Sequence, residues 1–297
     1  MKYTGNIYRP PFESNSLLLQ ATVGCSHNDC SFCSMYHGVP FETEGIEQIE
    51  KDLLEAASVP YKYDRIFLLN ADAFILSADK LKQIGQKIKD IYPSCETISM
   101  YASINNIKNK TDKELKELRQ LNFNDFNIGI ESGYDALIKE LNKGHTSQEA
   151  KKQLLRLKNA GFNYSINIII GGAGCENSED HIKKSIDFIN QTEPRLVFLA
   201  NLHIDPGTPL FASRSKGTFK ENTVRMNIQE TIDLVDGIEI ETELFGLHPS
   251  NIIPIHGILP NEKYKILNKL LRYEKDFPKL FLDSVPDKVG EGRAIIK

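Results

Sequence analysis

Residues 125–172 read DFNIGIESGYDALIKELNKGHTSQEAKKQLLRLKNAGFNYSINIIIGG. Two short apolar runs, Asp125–Glu131 and Tyr164–Ile170, frame a polar, periodic stretch. Thr146 and Glu149 have the spacing of a capping box, in which each residue satisfies a backbone N–H of the other at a helix start. Gly161 is the glycine expected to end that helix. The segment therefore predicts strand–helix–strand, and a strand pair joined this way is parallel with a right-handed crossover.

The same rhythm runs outward. Ser16–Val23 (SLLLQATV), Arg65–Asn70 (RIFLLN), Glu96–Ala102 (ETISMYA) and Leu196–His203 (LVFLANLH) are four more apolar runs. Between them lie helical stripes: Ile46, Ile49, Leu53 and Ala57; Leu81, Ile84, Ile88 and Ile91 behind Ser77 as N-cap; Leu115 and Leu118 behind a second capping box, Thr111–Glu114; and Ile182, Ile186 and Ile189. Six strands alternating with helices predict an α/β fold with a parallel sheet, its Val/Ile/Leu-rich strands buried on both faces. In such sheets ligands bind at the carboxyl ends of the strands. Beyond residue 220 a helix (about 222–236), a strand (Ile238–Phe245), a polar stretch and a last helix (Asn261–Lys275) read as an extension of the same core. The expectation is one domain over 1–297, with a core over about 9–220 and an extension over about 221–297.

Of the 297 residues, 40% are hydrophobic and 26% charged, and the net charge is −4, so a basic surface of the kind that lives on phosphate contacts is not indicated. No apolar run approaches a membrane span, and the first residues, MKYTGNIYRPPFE, lack the apolar core of a signal peptide. A cytoplasmic chain without a membrane partner is expected, and general nucleic-acid binding is disfavoured.

Three of the five cysteines fall in one loop after the first strand, as Cys25-x4-Cys30-x2-Cys33. Thiolates are soft ligands for zinc or iron–sulfur clusters. Three can hold three corners of a cubane cluster and leave one iron to a small chelating molecule. A closed zinc site needs a fourth ligand, for which His27 is the candidate. Both readings stand on spacing alone. Cys95 and Cys175 are isolated, and a small buried hydrophobe is the expected role of the latter.

The stretch Arg9–Tyr36, RPPFESNSLLLQATVGCSHNDCSFCSMY, resembles the cluster loop of the radical S-adenosylmethionine (SAM) superfamily, in the subgroup allied to elongator-type and methylthiotransferase-type members. The first gap has one residue more than the usual C-x3-C-x2-C, as in that subgroup. The resemblance runs on through Asn70-Ala71-Asp72, where the family has a Gly-Gly-Glu-like motif; Gly129-Ile130-Glu131-Ser132-Gly133; Asn142-Lys143-Gly144-His145-Thr146; the fifth strand into Gly171; and Asp205-Pro206-Gly207-Thr208-Pro209-Leu210. It covers about residues 9–260. It implies a partial (β/α)6 parallel barrel with a short C-terminal α/β extension. It implies a [4Fe-4S] cluster on Cys25, Cys30 and Cys33, and SAM near Phe32, Asp72, Glu131, Ser132, Asn167 and Gly171. The implied chemistry is reductive cleavage of SAM to a radical that abstracts hydrogen from a substrate, with an electron donor such as flavodoxin or ferredoxin.

Polar residues near strand ends are the substrate candidates: Tyr101, Ser103, Asn127, Asn167, Asn201, His203 and Asp205, with His248 and Asn251 from the extension. An isolated Asn or Ser in such a place more often caps the next turn. Size and C-terminal pattern are similar to the queuine lyases of bacterial queuosine salvage, which implies a 7-deazapurine base as a small-molecule substrate, with Asp205 or Glu13 to meet its N1–H and exocyclic amine. A radical enzyme modifying tRNA and a zinc-containing binding module are the competing classes.

Overall fold

The computed structural model describes residues 1–286; the end of the expected extension, 287–297, lies outside the described residues. The strands are β1 (Leu17–Gln20), β2 (Thr22–Val23), β3 (Glu42–Thr43), β4 (Arg65–Leu69), β5 (Thr97–Ala102), β6 (Phe126–Glu131), β7 (Tyr164–Ile170), β8 (Leu196–Asn201), β9 (Thr242–Gly246) and β10 (Ile255–Leu259). The helices are α1 (Ile46–Ala57), α2 (Ala78–Ile91), α3 (Ile104–Lys108), α4 (Asp112–Gln120), α5 (Asp135–Glu140), α6 (Ser147–Asn159), α7 (Ser178–Thr192), α8 (Pro209–Ser215), α9 (Val224–Gly237), α10 (Lys263–Asp276) and α11 (Lys279–Leu282).

Eight strands form one sheet in the order β1-β4-β5-β6-β7-β8-β9-β10, while β2 and β3 pair separately. The pairs β1–β4, β4–β5, β5–β6, β7–β8 and β8–β9 are parallel, and β10 returns antiparallel to β9. Spatial order follows chain order, as successive crossovers of one hand require. The predicted helix starts carry their caps. Thr111 and Glu114 exchange both capping-box bonds, at 2.7 and 3.2 Å, as do Thr146 and Glu149, at 3.0 and 3.2 Å. Ser77 Oγ accepts from Lys80 N at 3.2 Å.

Two expectations are corrected. The single run Ser16–Val23 breaks at Ala21, so that β1 joins the main sheet and β2 pairs with β3. The polar stretch of the extension contains β10, whose alternating pattern buries Ile255, Gly257 and Leu259 and exposes His256 and Ile258.

The residues group into two compact units. The first comprises Met1–Asn28, Met35–Gly129 and Lys152–Tyr164. Its core is Leu19, Ile66, Phe67, Leu68, Ile98 and Met100, all at most 1% exposed. Within it Glu13, wholly buried, accepts from Arg65 Nε at 2.8 Å and Nη2 at 2.5 Å, from Ser99 Oγ at 2.8 Å and from Ser16 Oγ. Arg65 Nη2 also donates to Asp125 at 2.7 Å. A buried carboxylate survives only when paired and hydrogen-bonded in this way. Glu13, named above as a partner for a substrate base, is thus engaged by four donors of its own unit.

The second unit comprises Asp29–Ser34, Ile130–Lys151 and the chain from Ser165 onward. One face of its strands buries Val197, Leu199, Leu244, Ile255 and Leu259. Helix α10 lies against this face so closely that a Cβ on Gly257 would stand 3.1 Å from Ile266 Cδ1.

Candidate active site

In the first unit, Gly24 leads into the cysteine loop at φ +72°, where an added Cβ would meet the Pro40 carbonyl oxygen at 2.9 Å, so glycine alone fits. Asn28 N donates to Cys25 Sγ at 3.4 Å, and the Asn28 amide is tied to Tyr36 O at 3.0 Å. Tyr36 OH accepts from Ala71 N at 3.1 Å, just past the end of β4. Asp72, 6% exposed and at φ +71°, accepts from Ser26 Oγ, so the residue after Cys25 is bonded to the carboxylate after β4. Tyr101 stands edge-on to Phe67 at 5.4 Å, and burial raises its phenol pKa, keeping it protonated. Ser103 caps α3 by accepting from Asn106 N at 3.2 Å, the ordinary role of a serine at a strand end. Tyr101 faces Asn127 across the β5–β6 pair.

In the second unit, Cys33 N donates to Cys30 O at 3.2 Å, a tight turn between the last two cysteines. The 141–143 segment laces this turn in place. Ser31 N donates to Leu141 O at 3.1 Å, and the Asn142 amide reaches Asp29 O at 2.9 Å and Asp29 Oδ2 at 2.7 Å. Phe32 packs against two apolar clusters, one with Leu137, Leu141 and Ile169, the other with Ile204, Leu210 and Phe219. Lys143 Nζ lies 3.0 Å from Glu131 Oε1 and 6.0 Å from the Phe32 ring centre. Burial alone would lower the Lys143 pKa, but Glu131, Cys30 and Cys33 together raise it, so the side chain stays an ammonium.

Glu131 closes β6 in the left-handed region, at φ +69°. The turn behind it is fixed by buried groups. Ser132 Oγ accepts from Tyr134 N at 2.9 Å and lies 2.8 Å from His181 Nδ1, and His181 Nε2 lies 2.9 Å from Ile169 O. A carbonyl only accepts, so Nε2 carries the proton and Nδ1 accepts from the serine hydroxyl. Burial pushes His181 down to about 4, so the ring is neutral. The Ser132 hydroxyl, expected near the cofactor, is bonded within the protein. Gly171, at φ +78°, donates its N–H to Glu230 Oε2 at 2.7 Å; Ser178 and Asn222 also donate to Glu230, whose pKa is raised by burial.

Near the end of β8, Asp205 accepts from Ser34 Oγ, next to Cys33, and lies 3.1 Å from His203 Nε2. The Asn251 amide accepts from Asn201 N at 3.0 Å and donates to Leu199 O at 2.8 Å, holding the strand end. His248 Nδ1 and Ser250 Oγ are 2.7 Å apart, and burial lowers the His248 pKa. The second unit thus brings together Cys30, Phe32, Cys33, Glu131 and Lys143, and separately Ser34, His203 and Asp205. Sequence reading did not single out His181, in the first turn of α7, or Glu230, midway along α9, each among ordinary polar residues.

Residues 19–189 match the family model of the radical SAM superfamily. The chain belongs to that superfamily. The cofactors that go with it are a [4Fe-4S] cluster and SAM. Among solved structures, the radical SAM chain is similar to methylornithine synthase, at 14% identity and a TM-score of 0.54 over 88% of this chain and 80% of that one. It is also similar to coproporphyrinogen III oxidase from Escherichia coli, a radical SAM enzyme, at 14% identity and a TM-score of 0.54 over 74% of this chain and 50% of that one. These likenesses place the sheet in the partial-barrel fold of such enzymes. A tRNA-2-methylthio-N(6)-dimethylallyladenosine synthase from Chlorobium phaeobacteroides is 28% identical over 134 residues, 44% of this chain and 29% of that protein. The chain therefore spans less than a third of the length of that curated relative. No helix among the described residues is long and apolar enough to cross a membrane.

The donor chemistry fits the cluster. Cys25, Cys30 and Cys33 are in no disulfide and each is partly accessible, and the Lys143 ammonium lies 6.0 Å from the ring centre of Phe32, which stands between the last two in sequence. Among the described residues no three His, Cys, Asp or Glu side chains stand together as a formed metal site, so the fit rests on ligand type and spacing.

Proposed function

We infer that this radical SAM enzyme acts on a small molecule, as a carbon–nitrogen lyase that takes a 7-deazapurine base, queuine, and releases 7-aminomethyl-7-deazaguanine. The observation that carries the small-molecule reading is the cysteine arrangement. Three thiols share one loop, while Cys95 is buried, with its thiol pushed up to about 11 by burial, and Cys175 is remote in sequence. That supports one cluster, whereas methylthio transfer calls for further cysteine ligands. The queuine assignment rests on the similarity in size and C-terminal pattern described above.

In this reading Cys25, Cys30 and Cys33 hold the cluster. Bound together, cluster and SAM supply a one-electron reductive cleavage that yields the 5′-deoxyadenosyl radical. Asp72 is suited to the SAM ammonium. Glu131, its charge balanced by Lys143, is suited to the ribose. Phe32 and the Gly171 turn, held by Glu230, are suited to the adenine end of SAM, and Ser132 acts through the turn it fixes. His203, 54% exposed, and Asp205, 17% exposed, form the polar pair best able to meet a substrate. The reductant is of the flavodoxin or ferredoxin type, and the expected compartment is the cytoplasm.

The test is anaerobic reconstitution followed by iron analysis, electron paramagnetic resonance with and without SAM, and incubation with queuine under mass-spectrometric detection. About four irons per chain and a SAM-perturbed spectrum, both lost in Cys30→Ala, are expected. Zinc without iron uptake would end the radical reading. SAM cleavage with no 7-aminomethyl-7-deazaguanine would end the lyase reading alone.

The similarity to the tRNA-2-methylthio-N(6)-dimethylallyladenosine synthase favours a second reading, modification of a tRNA base. Binding of unmodified tRNA at physiological salt, with no product from queuine, would move the assignment there.

A further inference from the structure

Strand register sets four side chains of the second unit in one line. Asn167 on β7 pairs with Phe198 on β8, Phe198 with Phe245 on β9, and Phe245 with His256 on β10. Residues directly opposite on adjacent strands share a face, so an amide, two phenyl rings and an imidazole run across the sheet in a row. The rings are in contact: Phe198 and Phe245 lie nearly parallel, 13° apart with centres at 5.8 Å, and His256 meets Phe245 edge-on at 5.5 Å. His248 adds a fourth ring, edge-on to Phe198 at 5.8 Å. The opposite face is a closed core of Val197, Leu199, Leu244 and Ile255 covered by helix.

The row differs from an apolar core in what borders it. His256 is 46% exposed, and its Nε2 lies 2.9 Å from Glu243 Oε1 one row away, while Arg195 lies 3.2 Å from Glu243 Oε2. At the other end Asn167 offers both a donor and an acceptor. Flat rings flanked by an amide at one end and an imidazole–carboxylate pair at the other match a ligand that is itself flat, with ring N–H and carbonyl groups at its edges. A lipid or an aliphatic substrate would leave those polar ends unused.

We propose that the row Asn167–Phe198–Phe245–His256 is the binding platform for a planar nitrogen heterocycle, the rings stacking on it and Asn167 and the His256–Glu243 pair reading its edges. This names residues for the substrate class of the proposed function and rests on the small-molecule reading. It assigns the extension strands β9 and β10 to substrate recognition.

The test is calorimetric titration of the cluster-loaded protein, with SAM present, using 7-aminomethyl-7-deazaguanine, guanine and the saturated control cyclohexane-1,2-diol. At least one of the two bases binds and the diol does not. Phe198→Leu, which keeps bulk but removes the ring, and His256→Gln each weaken base binding about tenfold. Their iron content and SAM affinity stay at the wild-type level. Absence of binding by either base, or wild-type affinity in both variants, overturns the platform. Base binding without queuine turnover leaves the platform standing and removes the lyase reading. Queuine turnover with an unchanged KM in both variants does the reverse.

Discussion

Strand β6 carries a buried ion pair at each end, and the two differ in what surrounds them. Ahead of it, Asp125 shares Arg65 with Glu13, and serine hydroxyls complete the set. At its close, Glu131 meets Lys143, and that ammonium also lies over the ring of Phe32 in the cysteine loop. Both carboxylate residues have positive φ, +59° at Asp125 and +69° at Glu131. Asp enters the left-handed region readily, with a short side chain that bonds locally; Glu does not share that ease. The first pair is closed on itself and locks a structural corner. The second accepts backbone strain to aim charge at the cysteine loop, and strain of this sort gathers at functional sites.

The comparison breaks or sharpens on measurement. Arg65→Met strands the wholly buried Glu13 and should cost about 4 kcal/mol in urea unfolding, while the folded fraction takes up iron normally. Lys143→Met should cost about 3 kcal/mol and, unlike the first variant, lower iron retention as well. Equal iron retention in the two would erase the distinction between the ends. The turn after Glu131 has its own signature in acid. His181 is held near 4 against an ordinary 6.5, so the unfolded chain binds the proton first and stability falls as pH drops. The loss between about pH 7 and pH 5 should be about 2 kcal/mol and absent from His181→Gln. The smallest effect is at Lys110 in the first unit, whose Nζ donates to Phe74 O at 2.6 Å and lies over that ring. Burial pushes it down to about 8 from 10.5, so stability should rise with pH across that window. A gain of about 1 kcal/mol between about pH 9.5 and pH 10.5, the upper part of that window, missing in Lys110→Met, is expected in thermal unfolding.

How much of this was legible beforehand follows from which forces are local. Strands β4 to β8 and the helices α2, α4, α6 and α7 came from periodicity and caps, which depend on neighbours in sequence; the short α3 and α5 did not. The break at Ala21 was not legible, because SLLLQATV holds no Gly, Pro, Asn or Asp and only sheet pairing divides it. Strand β10 hid because His256 and Gly257 interrupt its apolar residues. Among site residues, the cysteines, Glu131 and Asp72 stood out by motif. Ser103 and Asn251 proved to be bonded to backbone, the commoner fate of such residues. His181 and Glu230 were invisible because their partners, Ser132 and Gly171, lie far away in sequence.

Gly133 carries a consequence for anyone varying this enzyme. A Cβ there would sit 2.2 Å from the Lys184 carbonyl oxygen and 2.9 Å from Phe188 Cβ, both on α7. Even alanine would force that helix away, and His181 rides on the same helix. A library that randomises residue 133 should therefore return glycine alone. A screen for altered substrate choice would meet dead variants at a position whose side chain touches no substrate. The tolerance of the site is set from behind, by how closely one helix is allowed to approach.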